Sequence, residues 1–192
     1  MDIVLSHIYK SFENPVFADL SCTFKSGTLT ALCGSSGSGK TTLVNIILGF
    51  EKPDKGDLVF EKKPVFSVVF QEDRLMEELS ARENILLNGC NKDECDRLLK
   101  LFGLDESKDR VVSKLSGGMK RRVAIIRALT YNADIYIFDE PFKGIDSEMK
   151  EIVMASVRKM LCGKTGILIT HDLNETKIAD IVLDLDKIKK GV

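Results

Sequence analysis

Short apolar runs alternate along the chain with longer stretches in which apolar residues recur at helical spacing. Runs bounded by Gly, Pro, Asn or Asp are typical of strands. The run 65–70 is apolar nearly throughout, and we expect it to form a central strand of a sheet. The predicted strands cover residues 4–8, 20–24, 29–33, 57–60, 65–70, 135–138, 166–170 and 181–185.

Helical periodicity dominates the middle of the chain, over residues 75–129. There, Asn91 followed three residues later by Glu94 is typical of a capping box, and Gly103 is placed to end that helix. Another helix is expected to begin after Asp146, whose side chain can cap it. Strands near both ends of the chain with helices between them predict an α/β protein.

Composition narrows the class of protein. The 192 residues are 44% apolar and 30% charged, which is typical of one globular domain or of a core with one subdomain. The 28 Lys and Arg residues nearly balance the 29 Asp and Glu residues, so we expect no nucleic-acid partner. Apolar runs fall short of the ~20 residues of a membrane span, and we expect no signal peptide. The five cysteines have no metal-binding spacing and indicate a reducing cytosol.

A glycine-rich stretch between a predicted strand and a predicted helix carries the clearest chemistry. It fits Gly-x4-Gly-Lys-Thr in the setting that a phosphate-binding loop requires. Backbone amides can surround phosphate oxygens, Lys40 can reach the β- and γ-phosphates, and Thr41 can bind Mg²⁺. Thr42 is a further candidate for a phosphate contact. The predicted binding residues are Gly34, Ser35, Ser36, Gly37, Ser38, Gly39, Lys40, Thr41 and Thr42.

Three other predicted strands end in polar residues that suit phosphate chemistry. Asp139 can hold Mg²⁺, and Glu140 can polarise an attacking water. Two adjacent acids are also common in plain turns, but the phosphate-binding loop in the same chain favours the catalytic interpretation. His171 is a candidate contact for the γ-phosphate. Gln71 could reach Mg²⁺ or the attacking water, or could equally be a solvated loop residue.

Phe12 lies between the first two predicted strands and offers an aromatic face on which a purine base could stack. Packing at the end of a strand is the alternative, because phenylalanine is usually buried. The sequence leaves both interpretations open.

Together these motifs resemble the nucleotide-binding domain of ATP-binding cassette (ABC) proteins, over nearly the whole chain and in the family's order. Phe12 matches the base-stacking aromatic, residues 34–42 match Walker A, and Gln71 matches the Q-loop. Residues 135–140 match Walker B with its catalytic Glu, and His171 matches the switch histidine. The resemblance implies ATP as substrate and Mg²⁺ as cofactor.

The stretch Leu-Ser-Gly-Gly at 115–118 resembles the family's signature, which other P-loop ATPases lack. In the family, the equivalents of Ser116, Gly117 and Gly118 bind the γ-phosphate of ATP held by a second subunit. Asp146 matches the acid of the D-loop. The resemblance therefore implies a head-to-tail dimer with two shared ATP sites.

The chain departs from the family pattern in the signature and in the D-loop. Met119 replaces the usual Gln of the signature, and Arg121 stands where Gln is common. The D-loop begins Lys143-Gly144-Ile145 rather than with the commoner Ser-x-Leu. None of these changes removes a catalytic group, so we still expect an active ATPase.

The resemblance implies a P-loop NTPase fold with a RecA-like core, an N-terminal antiparallel β-subdomain and an inserted α-helical subdomain. Residues 1–192 would form a single ABC ATPase domain, with 1–71 and 130–192 in the core and 72–129 in the helical subdomain. The expected partners are a second, identical cassette and an integral membrane permease, which place the chain peripherally at the cytoplasmic face of the membrane. The segment 70–75 resembles importers of nitrate, sulfonates or taurine.

Two alternatives belong to other functional classes. A soluble ABC ATPase acting on nucleic acid or the ribosome would be expected to have a long coiled coil or two fused cassettes. A non-hydrolysing regulatory subunit would be expected to lack Glu140 or His171. The sequence favours a minimal, transport-coupled ATPase, and it leaves open the solute, the direction of transport and whether the partner cassette is identical.

Overall fold

The computed structural model describes residues 1–189; the end of the predicted core segment 130–192 lies outside the described residues. No helix within residues 1–189 has the length and apolar character needed to cross a membrane. In chain order the elements are β1 (Ile3–Ser11), β2 (Pro15–Phe24), β3 (Leu29–Cys33), α1 (Lys40–Leu48), β4 (Lys55–Phe60), β5 (Phe66–Val69), α2 (Ala81–Leu86), α3 (Lys92–Leu101), α4 (Gly117–Thr130), β6 (Ile135–Asp139), α5 (Ser147–Met160), β7 (Thr165–Ile169), β8 (Ile181–Asp184) and α6 (Leu185–Ile188).

The first of two sheets is antiparallel, with the strand order β2-β1-β4. Buried and exposed residues alternate along much of β1, as expected for a sheet that packs one face on a core. The predicted strands 4–8 and 20–24 are confirmed, and both extend toward the turn between them. Both strands are longer than predicted because the pairing of their backbones continues until Ser11 lies opposite Pro15.

The second sheet is parallel, with the strand order β5-β6-β7-β3-β8. The prediction that the run 65–70 forms a central strand is wrong, because β5 lies at the edge and pairs with β6. Its apolar character comes from burial of its faces. Val69 is buried, and the Ser67 hydroxyl donates to the Ala128 carbonyl of α4 at 2.8 Å. An apolar run indicates that other elements pack on the faces of a strand, and it does not indicate how many strands lie beside it.

Each face of the parallel sheet has its own apolar core. Alternate residues of β6 point to opposite sides, so Ile135 and Ile137 pack with β1, β2 and α1. Tyr136 and Phe138 pack instead with the helices of the middle of the chain. This layering confirms the predicted α/β fold with an antiparallel β-subdomain and a helical insertion. The exact subdomain boundaries at 72 and 129 stay predictions.

The predicted capping box at Asn91 is only half correct. Asn91 caps α3 by accepting from the Glu94 amide at 2.8 Å, but the Glu94 carboxylate binds the Arg97 guanidinium at 2.6 and 2.7 Å. A charged, two-point partner outcompetes a single backbone amide. The complete capping box lies at the start of α2, between Ser80 and Glu83.

Gly56 allows β4 to lie close against β1. Its φ is +92°, and a Cβ built there would lie 2.2 Å from the carbonyl oxygen of His7. We therefore expect Gly56→Ala to lower the free energy of unfolding by about 2–4 kcal/mol in urea denaturation, because positive φ and backbone displacement both cost energy. Gly89→Ala is the matched control, since Gly89 has φ +76° but no atom within 4 Å of its Cβ position. Equal losses in the two variants would contradict the close approach.

Candidate functional site

Predicted site residues follow the carboxyl ends of four neighbouring strands of the parallel sheet and therefore lie close together. Gln71 follows β5, Asp139 ends β6, His171 follows β7 and Gly34 follows β3. A cavity of about 520 Å³ opens at these carboxyl ends, where α/β sheets hold their ligands. It is lined by Val16, Gly34, Ser36, Gly37, Gly39, Lys40, Thr41, Thr42, Gln71, Glu140, Lys143 and His171.

The phosphate-binding loop packs tightly against its surroundings. Gly39 has φ +97°, and a Cβ there would lie 2.7 Å from Val16 and 2.9 Å from the ring of Phe17. A Cβ on Gly34 would lie 2.7 Å from the buried Ser38 hydroxyl. Glycine is therefore required at both ends of the loop. The antiparallel sheet, which provides Val16 and Phe17, supports the loop from outside.

Lys40, the first residue of α1, lies over the loop that precedes it. Its ammonium group donates to the carbonyls of Gly34 and Ser35, both at 2.8 Å. The other side of Ser35 is anchored to α6, because its amide and its hydroxyl both donate to the Asp186 carboxylate, at 2.7 and 3.1 Å. The loop thus holds a cation at the N-terminus of a helix, an arrangement that favours bound phosphate.

Asp139 is a buried carboxylate with an unsatisfied oxygen. Its residue exposure is 8%, and its Oδ1 atom has no hydrogen-bond partner. Burial raises the pKa of the Asp139 carboxyl, and the side-chain amide of Gln71 opposes that rise as a hydrogen-bond donor. Thr41, Gln71 and Asp139 line a common cavity of about 290 Å³. Carboxylate, amide and hydroxyl oxygens are ligands that Mg²⁺ accepts, so these residues fit the predicted metal.

Glu140 lies between two basic side chains. Its Oε1 is 3.0 Å from His171 Nδ1, and its Oε2 is 3.6 Å from the Lys143 ammonium group. The backbone of Glu140 is in the left-handed region, at φ +45°, and its amide donates to the Ile169 carbonyl at 3.0 Å. A non-glycine residue in this region indicates local strain that the neighbouring structure maintains. Glu140 lines the cavity from this position.

Phe12 lies outside the residues that line the cavity. It is 57% exposed, and the Lys10 ammonium group lies 4.9 Å from its ring centroid. Val16, further along the same part of the chain, lines the cavity instead. The exposure argues against the packed alternative, and stacking of a purine on Phe12 stays a prediction.

Ser116 and Gly117 of the signature are exposed at the start of α4, whereas Leu115 is buried and Gly118 is half-buried. The Ser116 hydroxyl caps the helix by accepting from the Met119 amide at 3.3 Å. A Cβ on Gly117 would meet no atom within 4 Å, whereas one on Gly118 would lie 2.6 Å from the Gly144 carbonyl. Ser116, Gly117 and Gly118 are not among the described residues that line the cavity of the same chain. The backbone at Gly117 is therefore open to a ligand from outside, whereas Gly118 packs against Gly144.

Asp146 has the position predicted for it at the start of α5. Its carboxylate accepts from the Met149 amide at 3.0 Å and so caps that helix. It also lies outside the set of residues that line the cavity, and its predicted contact with nucleotide stays a prediction.

Three residues near the loop were missed by reasoning from the sequence. Val16 carries no polar chemistry, so only its contact with the loop reveals it. Asp186 is remote in sequence, and no local motif marks it. Lys143 was noted only as a departure in the D-loop, although a cation three residues after Glu140 could have indicated an ion pair.

Most of the chain, including most of the residues around the cavity, matches one known protein family. The family model described as ABC transporter matches residues 17–143, a span that contains Walker A, Gln71, the signature and Asp139 with Glu140. The chain belongs to the ABC transporter family. The predicted resemblance is thereby confirmed, although Phe12, Asp146 and His171 lie outside the matched span.

Curated ABC relatives are longer than this chain. It is 38% identical over 173 residues to the taurine import ATP-binding protein TauB of Roseobacter denitrificans, covering 82% of this chain and 65% of that protein. It is 32% identical over 182 residues to the Fe(3+) ions import ATP-binding protein FbpC of Fusobacterium nucleatum, covering 85% of this chain and 49% of that protein. The chain thus spans less than two thirds of the length of these relatives.

Two solved ABC structures resemble the whole chain. The ATP-binding cassette MJ0796, in a dimeric post-hydrolysis state bound to ADP and Pi, has a TM-score of 0.81 and 27% identity. The similarity covers 95% of this chain and 93% of that one. A bacterial Atm1-family ABC exporter with ATP bound has a TM-score of 0.86 over 97% of this chain and 37% of that one. At 24% identity, the second structure shows the fold alone.

The buried Asp139 carboxylate generates a prediction about stability. At neutral pH, Asp139→Asn should raise the free energy of unfolding by on the order of 1 kcal/mol, because burial disfavours the charged carboxylate. The difference should vanish below the ordinary pKa of 3.8 and grow as pH rises through the raised pKa of the folded state. Urea denaturation from acidic to neutral pH measures it.

Asp134 is the control for this experiment. Its carboxyl has a lowered pKa because it binds Lys62 and the Val65 amide, so Asp134→Asn should lose stability at neutral pH. An Asp139→Asn protein that is also less stable than the wild type would show that the Asp139 carboxylate is compensated.

Proposed function

We propose that the chain is the ATP-binding and ATP-hydrolysing subunit of an ABC transporter. The observation that carries the proposal is the convergence of Lys40, Glu140 and His171 on one cavity, in a chain of this family. Binding would be followed by cleavage of the γ-phosphate, and the two steps would close and reopen a dimer of cassettes.

ATP would bind with its phosphates in the loop 34–42. Lys40 is placed to exchange the carbonyls of Gly34 and Ser35 for phosphate oxygens. Thr41, Gln71 and Asp139 would hold Mg²⁺, which neutralises phosphate charge when it is bound. The unsatisfied Oδ1 atom of Asp139 supports this assignment.

Hydrolysis would use Glu140 as the group that orients and deprotonates the attacking water. Water attack on the γ-phosphorus forms one P–O bond while the bond to the ADP oxygen breaks. His171, 3.0 Å from Glu140, would hold this carboxylate in place and contact the γ-phosphate. Release of ADP and phosphate would then complete the cycle.

A second copy of the chain would complete each ATP site. Ser116 and Gly117 are exposed at the N-terminus of α4, and within the described residues the signature does not line the cavity of its own chain. In a head-to-tail dimer, Ser116 of one subunit would reach the ATP held by the other subunit. The dimeric state of the solved MJ0796 structure supports this arrangement.

A membrane permease would be the second partner and would hold the chain at the cytoplasmic face of the membrane. Support comes from the names of relatives, several of which are import ATP-binding proteins. Relatives named for taurine import make small sulfonates the first solutes to test. Import of a sulfonate is therefore the specific form of the proposal.

Glu140→Gln tests the catalytic assignment. It keeps the size of the side chain but removes the base, so we expect turnover of ATP to fall roughly a hundredfold or more while ATP binding persists. ATP-loaded protein should accumulate as a dimer on gel filtration. Glu106→Gln, a change at an exposed residue that does not line the cavity, is the control. Wild-type turnover by the Glu140→Gln protein would remove Glu140 from the mechanism.

A mixing experiment tests the shared sites. Ser116→Arg should block both sites of a homodimer, and Lys40→Ala should abolish tight ATP binding, so each variant alone should be inactive. In a mixed dimer, one site combines an intact loop with an intact signature. If the two sites act independently, this dimer keeps about half of the wild-type activity, and coupling between subunits would leave less.

The control for the mixing experiment is Ser113→Arg, which adds the same charge at an exposed position before the signature. It should leave turnover unchanged. Normal ATP hydrolysis by monomeric Ser116→Arg protein would refute the shared-site model and leave a P-loop ATPase that works alone.

A further inference from the structure

Arg121 is a buried cation that fastens the signature helix to the backbone around Gln71. It lies in the first half of α4 and is only 6% exposed. Its Nη1 atom donates to the Phe70 carbonyl and its Nη2 atom to the Gln71 carbonyl, each at 2.6 Å. The Nη1 atom also lies 3.1 Å from Oδ1 of Asp73. One side chain therefore contacts three residues of a single loop.

The identity of this side chain matters because the family commonly has Gln at the position. A Gln amide carries its two hydrogens on one nitrogen and has no charge, so it cannot donate from two separate nitrogens to the carbonyls of Phe70 and Gln71 and also pair with the Asp73 carboxylate. A guanidinium group presents several donors in a rigid plane, which suits such a set of acceptors. Arg121 thus gives the loop a stiffer attachment than the commoner residue could.

A second arginine of α4 extends the attachment. The Nη2 atom of Arg127 donates to the carbonyl of Arg74 at 2.9 Å and lies 3.3 Å from that of Asp73. On its other side, the loop presents the Gln71 side chain to the cavity that Asp139 and Thr41 also line. The loop is therefore held by α4 behind it and faces the metal site in front.

We propose that Arg121 is a positioning residue that holds Gln71 at the metal and water site and links its position to the signature helix. This inference deepens the proposed function and rests on it. Ser116 caps the helix that carries Arg121, so the backbone of Gln71 and the signature are attached to the same helix.

Arg121→Gln is the direct test, with Arg121→Lys as the conservative variant. We expect kcat for ATP to fall roughly tenfold in Arg121→Gln, which is typical of losing a group that orients a metal ligand, while KM changes less than twofold. Lys keeps the charge near Asp73 but cannot bind both carbonyls, so it should restore only part of the rate.

A double-mutant cycle separates positioning from general structural support. If Arg121 acts through the Gln71 side chain, Arg121→Gln should lower kcat little further in a Gln71→Ala background. A full tenfold loss in that background would overturn the proposal.

The thermal stability of every variant should be measured, with Arg82→Gln as the control, because Arg82 pairs with Asp96 and Asp109 away from the loop.

Hydrogen exchange gives a readout that does not depend on turnover. Amides of residues 70–74 should exchange faster in Arg121→Gln than in the wild type and in Arg82→Gln. Unchanged exchange in this segment would overturn the attachment itself. A wild-type protein that hydrolyses no ATP would refute the proposed function, whereas normal turnover by Arg121→Gln would refute only the role of Arg121.

Discussion

The parallel pairing of β6 with β7 is the constraint on which the site depends. Asp139 lies beside Ile169 in that pairing, and the next residue, Glu140, donates its amide to the Ile169 carbonyl. This register leaves His171 two residues beyond Ile169, where its ring meets the Glu140 carboxylate. A shift of one residue would turn alternate side chains to the opposite face of the sheet and separate the pair.

The same region contains two features that lower the free energy of unfolding and that the rest of the fold must offset. Asp139 is buried with an unsatisfied oxygen, and Glu140 has a left-handed backbone. Both features disfavour folding taken alone, and the apolar cores on the two faces of the sheet offset them. Such features are concentrated where a ligand can relieve them, which suits a site for a metal-bound nucleotide.

The sequence predicted the parts of this protein whose chemistry is local. The phosphate-binding loop, the acidic strand end and the cap at Asp146 each depend on neighbours in sequence, so their residue types and spacing were enough. The edge position of β5 was missed because apolar residues report buried faces and not the order of strands. Contacts made across the fold, such as Asp186 with Ser35 and Arg121 with Gln71, leave no local pattern.

The strand that carries the phosphate-binding loop has consequences for how the protein is made. β3 is complete by residue 33, yet both of its neighbours, β7 and β8, come from residues 165–184. During translation, β3 therefore cannot pair with its neighbouring strands until almost all of the described chain has emerged from the ribosome. Until then, the phosphate-binding loop follows a strand that lacks both of its hydrogen-bonded neighbours in the sheet.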